Sequence, residues 1–167
     1  MKTIIDEVEK AMSHGLYYLA VSACLTLPDI CAALESLDGE TTQGKYETWC
    51  KTWFLKNYAA LTPYHLYKLR CGVVHQGRFK HEKMQHDRVI FGLPSNAVLH
   101  GFSQKTGTGE FVLHLNAEQF CRDMLDSVRA WFDAKKNDKT VQENLPNLLR
   151  LRPSGISPYL SGIPVIA

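Results

Sequence analysis

The sequence predicts a mainly α-helical protein with a small inserted β-hairpin or three-stranded ribbon. Apolar residues recur at three- and four-residue spacing over most of residues 4–76 and again over 117–136. Between these stretches the chain has short runs of β-branched and aromatic residues instead. With 167 residues, of which 45% are hydrophobic and 22% charged, the chain fits one soluble globular domain around one core.

Local signals place four helices before residue 78. The predicted spans are about 4–14, 16–27, 45–58 and 63–76, with a loop at 37–44. Pro28 and Asp29 interrupt the most apolar stretch, residues 16–34, so we interpret it as a buried helix that restarts at Pro28 and not as a membrane span. Thr62, followed by a proline, is the predicted N-cap of the fourth helix, and Gly77 lies just beyond its end.

The second half of the chain predicts strands and then one long helix. The strand-like runs are residues 88–93, 97–102 and 110–115, with a turn at 103–109. Asn116 and Gln119 form a capping box that opens a helix over 117–136. We therefore divide the chain into a helical domain, 1–136, with a β insertion at about 87–115, and a segment, 137–167, with a short helix and a Pro/Gly/Ser-rich tail. We expect that tail to be extended and ordered only where it docks.

Charge and cysteine content limit the class of protein. The net charge of +2 excludes a polycation, so any contact with nucleic acid must be local. Residues 1–15 are charged throughout and lack the apolar core of a signal peptide. The five cysteines show no paired spacing, so we expect reduced thiols in a cytoplasmic protein without a membrane segment.

No metal or cofactor site is predicted. Residues 105–110 have the composition of a phosphate loop but lack its strand-loop-helix order. The spacing of His75, His81 and His86 fits a zinc site poorly. We expect His81 and His86 to be solvated loop residues.

Arg70 and His75 form the candidate site. On an ideal helix these residues point about 140° apart, which is poor geometry for a pair on one rigid helix. Two copies of the helix packed across a two-fold axis would bring the residues into one cleft. Histidine can take a proton from a ribose 2′-hydroxyl or give one to a leaving oxygen. Arginine can hold a pentacoordinate phosphorane through a forked contact, without a metal.

The run "RCGVVH", an R-x4-H motif near the end of an apolar helix, resembles the HEPN superfamily (higher eukaryotes and prokaryotes nucleotide-binding domain). The resemblance implies an antiparallel bundle of four or five helices and a homodimer with the motif at its interface. It also implies metal-independent endoribonuclease activity on RNA, with Arg70 and His75 as the catalytic pair. A toxin–antitoxin or defence setting, with an antitoxin or regulatory protein as partner, follows from the resemblance alone. Family members often carry a polar residue, commonly asparagine, directly after the arginine, where this chain has Cys71.

Two interpretations stay open. The first is the endoribonuclease; the second is a non-catalytic HEPN-like module that binds a nucleotide or a protein, which the departure at Cys71 favours. A purely structural role is also open, with Arg70 paired to Glu47 or Asp126 and His75 capping its helix. The candidate substrate-binding residues are Tyr67, Lys68, Cys71, Arg78 and Lys80. Tyr67 is either a packing residue or a base-stacking one, and the basic stretch is either a solvated loop or a contact for phosphates.

Overall fold

The computed structural model of the protein describes residues 1–79, 86–96 and 99–167. The predicted mainly helical fold is confirmed, with 55% of the described residues in helices and a small three-stranded mixed sheet beside them. The helices are α1 Lys2–Ser13, α2 Tyr17–Leu34, α3 Gln43–Trp49, α4 Pro63–Gln76, α5 Ala117–Lys135 and α6 Lys139–Asn144. A π-helical turn, Cys50–Phe54, and a 3₁₀ turn, Leu55–Asn57, follow α3, and a second 3₁₀ turn, Leu145–Asn147, follows α6.

Helix α2 is continuous through its proline, so the predicted restart at Pro28 is wrong. A proline inside a helix removes the hydrogen bond to the carbonyl four residues earlier and opens the backbone there. For Pro28 that carbonyl belongs to Cys24, and the Tyr46 hydroxyl donates to the next carbonyl along the helix, that of Leu25, 3.1 Å away. By length and composition α2 is apolar enough to cross a membrane, and 56% of it is buried inside the protein.

The core lies between α2 and α5. Helix α2 also packs against α1, α3 and α4, so it lies at the centre of the helical layer. The largest fully buried side chains include Trp131, Tyr46 and Phe120. The Cys24 thiol lies 3.9 Å from the carbonyl oxygen of Cys121, which shows how closely α2 and α5 approach.

The three-stranded sheet differs in detail from the predicted hairpin or ribbon. Its strands are β1 Arg88–Gly92, β2 Phe102–Lys105 and β3 Phe111–Asn116, in the order β1-β3-β2. Strand β2 is antiparallel to β3, as in a hairpin, but β1 runs parallel to β3.

The predicted strand at 97–102 is also wrong. Of its residues, 97 and 98 lie outside the described part of the chain, 99–101 are not in a strand, and Phe102 begins β2. A tight turn explains the shift, because Gly109 donates to the Thr106 carbonyl at 2.9 Å with a left-handed φ of +89°. The connection therefore needs only residues 106–110, which leaves 103–105 free to pair with β3.

The sheet leads directly into α5. The Asn116 side chain accepts a hydrogen bond from the backbone N–H of Gln119 at 2.8 Å, which confirms the predicted helix start. Leu113 and Leu115 of β3 point into the core, so the sheet covers one end of the helical layer.

The segment 150–167, which we call the C-terminal lobe, is folded and not extended as expected. Its strands are β4 Leu151–Arg152, β5 Gly155–Ile156, β6 Leu160–Ser161 and β7 Val165–Ile166. The pairs β4–β7 and β5–β6 are antiparallel, so one ladder lies inside the other along the chain. Arg150 and Ala167 exchange two backbone hydrogen bonds, of 3.2 and 3.1 Å, which close the lobe at its base.

Candidate functional site

Arg70 and His75 touch within one chain. The Arg70 Nη1 atom lies 3.0 Å from Nε2 of His75. The pair therefore meets without a second copy of the helix, although the geometry of an ideal helix is unfavourable for it. Helix α4 stays helical up to Gln76 and ends at Gly77 in the left-handed conformation, so the helix does not unwind. The long arginine side chain instead reaches around the helix to the last turn.

This contact favours one tautomer of His75. A guanidinium has only donors, so Nη1 donates and Nε2 of the imidazole accepts. A neutral imidazole that accepts at Nε2 carries its proton on Nδ1. In this hydrogen bond the acceptor nitrogen of His75 faces the arginine.

Asp29 holds the other side of Arg70. Its Oδ2 atom accepts a hydrogen bond from Arg70 Nε at 2.7 Å, across the packing of α2 on α4. The proposed pairing of Arg70 with Glu47 or Asp126 is wrong, because Glu47 accepts from Gln43 and Asp126 pairs with Arg129.

Sequence reasoning missed Asp29 as a site residue. In the sequence it stands only as an interruption of the apolar stretch 16–34. The signal that could have found it is a carboxylate in the middle of the most apolar helix, because a buried charge needs a partner.

Both members of this ion pair are largely hidden from water. The side chain of Asp29 is 12% exposed and that of Arg70 is 18% exposed. Burial raises the pKa of Asp29 above its ordinary value, although Arg70 and His75 both act to lower it. Burial acts to lower the pKa of Arg70, but Asp29 acts to raise it and the net shift is upward. The pair is therefore a desolvated one, held by a short hydrogen bond.

The predicted substrate-binding residues lie along α4 and just after it. The Lys68 ammonium lies 5.2 Å from the ring centroid of Tyr64 and 5.3 Å from that of Tyr67. Tyr67 also packs edge-on against Tyr46, with centroids 5.4 Å apart, so it has a structural contact beside its place near the motif. The Cys71 thiol lies close enough to Tyr67 and Arg70 to act on the pKa of each.

The remaining basic candidates lie beyond α4. Arg78 is exposed, and its Nε donates to the Gln76 side chain at 2.7 Å. Lys80 lies outside the described residues. Helix α4 itself contains no acidic residue, so Lys68 and His75 share a surface free of carboxylates from their own helix.

His86 is a buried residue, which corrects its prediction as a solvated loop histidine. Only 2% of His86 is exposed, its ring stacks on Phe111, and its Nε2 lies 3.0 Å from the Ser103 hydroxyl. Within the described part of the chain its Nδ1 has no hydrogen-bond partner. Burial lowers the pKa of His86. His81 lies outside the described residues.

Metal ligands do not gather among residues 1–79, 86–96 and 99–167. No group of three or more His, Cys, Asp or Glu side chains in these ranges is close enough to hold a metal ion. All five cysteines are free thiols; Cys71 is partly exposed and the other four are buried.

A cleft of about 830 Å³ lies away from the Arg70–His75 pair, between the end of α2, the start of α3 and α5. Its charged groups pair with each other, since Lys45 contacts Asp38 at 3.1 Å and Lys135 contacts Glu35 at 3.5 Å. The charges of the cleft are therefore already satisfied. The chemistry of the Arg70–His75 pair, and not cavity size, therefore makes it the candidate site.

Comparison of the chain with protein-family models, with characterised proteins and with solved structures found no match. The resemblance to the HEPN superfamily therefore rests on the motif and the helical pattern.

Proposed function

We propose that the protein is a metal-independent endoribonuclease of the HEPN type, with Arg70 and His75 as its catalytic pair. The observation that supports this most is the 3.0 Å contact between Arg70 Nη1 and His75 Nε2. It brings a permanently charged group and a titratable base together at the exposed end of α4. Neither group needs a metal to act on a phosphodiester.

The reaction follows from these two groups. When RNA binds, the non-bridging oxygens of the phosphate accept from Arg70 N–H groups that face neither Asp29 nor His75, and the ribose 2′-hydroxyl takes the place of Nη1 at Nε2 of His75. Nε2 of His75 is then free to take the proton of the ribose 2′-hydroxyl. The 2′-oxygen attacks phosphorus, Arg70 stabilises the pentacoordinate phosphorane, and the 5′-oxygen leaves with a proton returned by the imidazolium. The products are a 2′,3′-cyclic phosphate and a free 5′-hydroxyl.

The finer architecture belongs to the same proposal. The helices form an antiparallel HEPN-like bundle, and two chains form a homodimer through α4. Val74, which precedes His75 in the last turn of α4, is 43% exposed, and this apolar side chain supports a contact there. Arg70 and His75 already contact each other within one chain. Such a dimer would therefore bring two sites together and would not be needed to complete either site. The protein would act in the cytoplasm, with an antitoxin or regulatory protein as its partner.

Substrate contacts complete the proposal. Lys68 and Arg78 would hold the phosphate backbone, with Lys80 after them, and Tyr67 would stack on a base. Cys71 would lie beside the reacting phosphate, where family members commonly have asparagine.

A cleavage assay on a mixed RNA substrate tests the proposal. His75→Ala should lower the cleavage rate by about 10² to 10⁴, which is the range for losing a general acid or base. His14→Ala is the matched control, because His14 is an exposed histidine at the end of α1, and its rate should stay at the wild-type level. Chelator should not change the rate of either protein. Equal cleavage by wild type and His75→Ala would overturn the proposed endoribonuclease mechanism, because His75 would then have no part in catalysis.

The second candidate is a non-catalytic nucleotide- or protein-binding module. The observation in its favour is Cys71 at the position after Arg70. If the protein is such a module, wild type should leave the RNA uncut in the cleavage assay, and a binding measurement on the same RNA should show whether the RNA is held.

A further inference from the structure

Three side chains from two helices form one chain of contacts. Asp29 of α2 accepts from Arg70 Nε at 2.7 Å, and Nη1 of the same guanidinium donates to His75 Nε2 at 3.0 Å. The arginine therefore joins a carboxylate on one side to an imidazole on the other. The carboxylate comes from a part of the sequence 41 residues before the motif.

Asp29 is well placed to set the direction of the guanidinium. It lies on the core helix, next to the buried Pro28, and its side chain is 12% exposed. The guanidinium is planar and rigid, so a fixed bond at Nε also fixes where Nη1 points. Without Asp29, the arginine side chain has several rotamers open to it at the protein surface.

The direction of Nη1 in turn decides the state of His75. The tautomer of an imidazole is set by the hydrogen bond that its other nitrogen makes. An arginine donor at Nε2 requires the proton on Nδ1. That is the tautomer that a base acting through Nε2 needs before substrate arrives.

No other charged side chain competes for Asp29 among the described residues. The other titratable groups that face it are Tyr46 of α3, Cys50 of the π-helical turn and Tyr67 of α4. Burial raises the pKa of each of these groups, so all three are neutral at pH 8. Asp29 thus acts on His75 through Arg70.

We propose that Asp29 is a positioning residue: it aims Arg70 so that His75 is held as the Nδ1–H tautomer with Nε2 as the base. The proposed relay of contacts, Asp29–Arg70–His75, deepens the proposed endoribonuclease function and rests on it for its role in catalysis. Its structural part, the tautomer of His75, can be measured without any RNA.

Imidazole nitrogen NMR of the ¹⁵N-labelled full chain at pH 8 tests the relay, with the His75 signals assigned from a His75→Gln sample. In wild type, Nδ1 should show the shift of a protonated nitrogen and Nε2 that of an unprotonated one. Asp29→Asn should move both shifts to those of a mixture of tautomers, and Asp29→Glu should restore the wild-type shifts in part. Glu47→Gln is the matched control, because it removes a carboxylate on α3 that contacts Gln43 instead of Arg70, and it should leave the shifts unchanged.

Cleavage rates of the same samples give the second readout. Asp29→Asn should lower the rate by about 10- to 100-fold, as expected for losing a residue that orients a catalytic histidine. Loss of rate with wild-type His75 shifts would overturn the relay, because a general structural defect would then explain the rate. Altered shifts with no cleavage by any protein, wild type included, would support the relay and overturn the proposed function. If Asp29→Asn does not fold, Arg70→Met decides, since wild-type His75 shifts in that variant would overturn the relay.

Discussion

The imidazole of His86 lies flat on the ring of Phe111, with centroids 4.6 Å apart and ring planes 16° apart. The ring is also buried, and a neutral imidazole is easier to bury than an imidazolium. His86 is therefore a stability residue of the sheet, and its titration links folding to pH.

We expect His86→Ala to lower the free energy of unfolding by about 2–4 kcal/mol, because it leaves a cavity beside Phe111 and removes the bond to Ser103. Chemical denaturation at pH 8 measures this loss. His14→Ala, which changes an exposed histidine, should stay within about 0.5 kcal/mol of wild type. A similar small loss for His86→Ala would contradict the buried position.

The pH dependence follows from the lowered pKa of His86. The contribution of neutral His86 to stability is fully present above the unfolded pKa near 6.5 and is lost as the pH falls through the folded pKa. The reason is that, between these two pKa values, the unfolded state binds a proton that the folded state does not. His86→Phe keeps an aromatic ring on Phe111 and cannot titrate. The stability of wild type relative to this variant should therefore decrease from pH 8 to pH 5; a constant difference would contradict the prediction.

Arg70→Leu should leave the Asp29 carboxylate without its partner. We expect the free energy of unfolding to fall by about 3 kcal/mol at pH 7, as for removing one member of a largely buried ion pair. Burial raises the pKa of Asp29 above its unfolded value of 3.8. The stability that folding gains from the neutral carboxyl is therefore fully present below pH 3.8 and is lost as the pH rises through the folded pKa. The loss caused by Arg70→Leu should therefore be smaller at pH 4 than at pH 7.

Denaturation curves of Arg70→Leu at the two pH values check this prediction. Arg122→Leu is the control, because Arg122 pairs with Glu118 on the exposed face of α5 and should contribute at most about 0.5 kcal/mol. Equal losses for both arginines would show that the Asp29 pair has no special role in stability.

The thiols should react in two classes. Cys71 is partly exposed, whereas Cys24, Cys31, Cys50 and Cys121 are buried. Titration with a thiol reagent should find one fast thiol in the native protein, with Cys71→Ser removing it. The unfolded, unreduced protein should show all five, and a smaller number would mean that a disulfide forms.

Gly155→Ala should open the inner ladder of the C-terminal lobe. Gly155 has a φ of +80°, and a Cβ there would lie 2.1 Å from the Leu160 carbonyl oxygen, a clash with backbone. Gly162 has a nearly equal φ of +78° but nothing within 4 Å of an added Cβ, so Gly162→Ala is the matched control for backbone strain alone, about 1 kcal/mol. Hydrogen exchange of residues 155–162 should be faster in Gly155→Ala than in Gly162→Ala, with the helical melting unchanged in both. Equal exchange rates in the two variants would count against the close approach of Gly155 to the Leu160 carbonyl.

Features decided by near neighbours in the sequence could be predicted. Thr62 accepts from the His65 N–H at 3.2 Å, Gly77 ends α4 with a φ of +62°, and Asn116 caps α5, all as expected. These signals lie within one turn of the feature that they determine, so the sequence pattern contains them.

Features decided by distant neighbours could not be predicted. The partner of Arg70 is 41 residues away, and the parallel pairing of β1 with β3 joins residues such as Arg88 and Val112. The polar neighbours of His86 in the sequence predict a solvated loop, and its contact with Phe111 comes from a distant part of the chain. In each case the deciding contact depends on how whole elements pack, which periodicity does not encode.

The close approach of α2 and α5 has a consequence for how the chain folds. Cys24 and Cys121 are 97 residues apart, and Trp131 donates to Glu35 at 2.7 Å across 96 residues. Closing a loop of that length costs entropy before the core returns any burial energy. The helices of this protein are local, but the contact that joins them is among its most distant. We therefore expect folding slower than that of up-down bundles of equal helix content, and during synthesis the core can close only after α5 has left the ribosome.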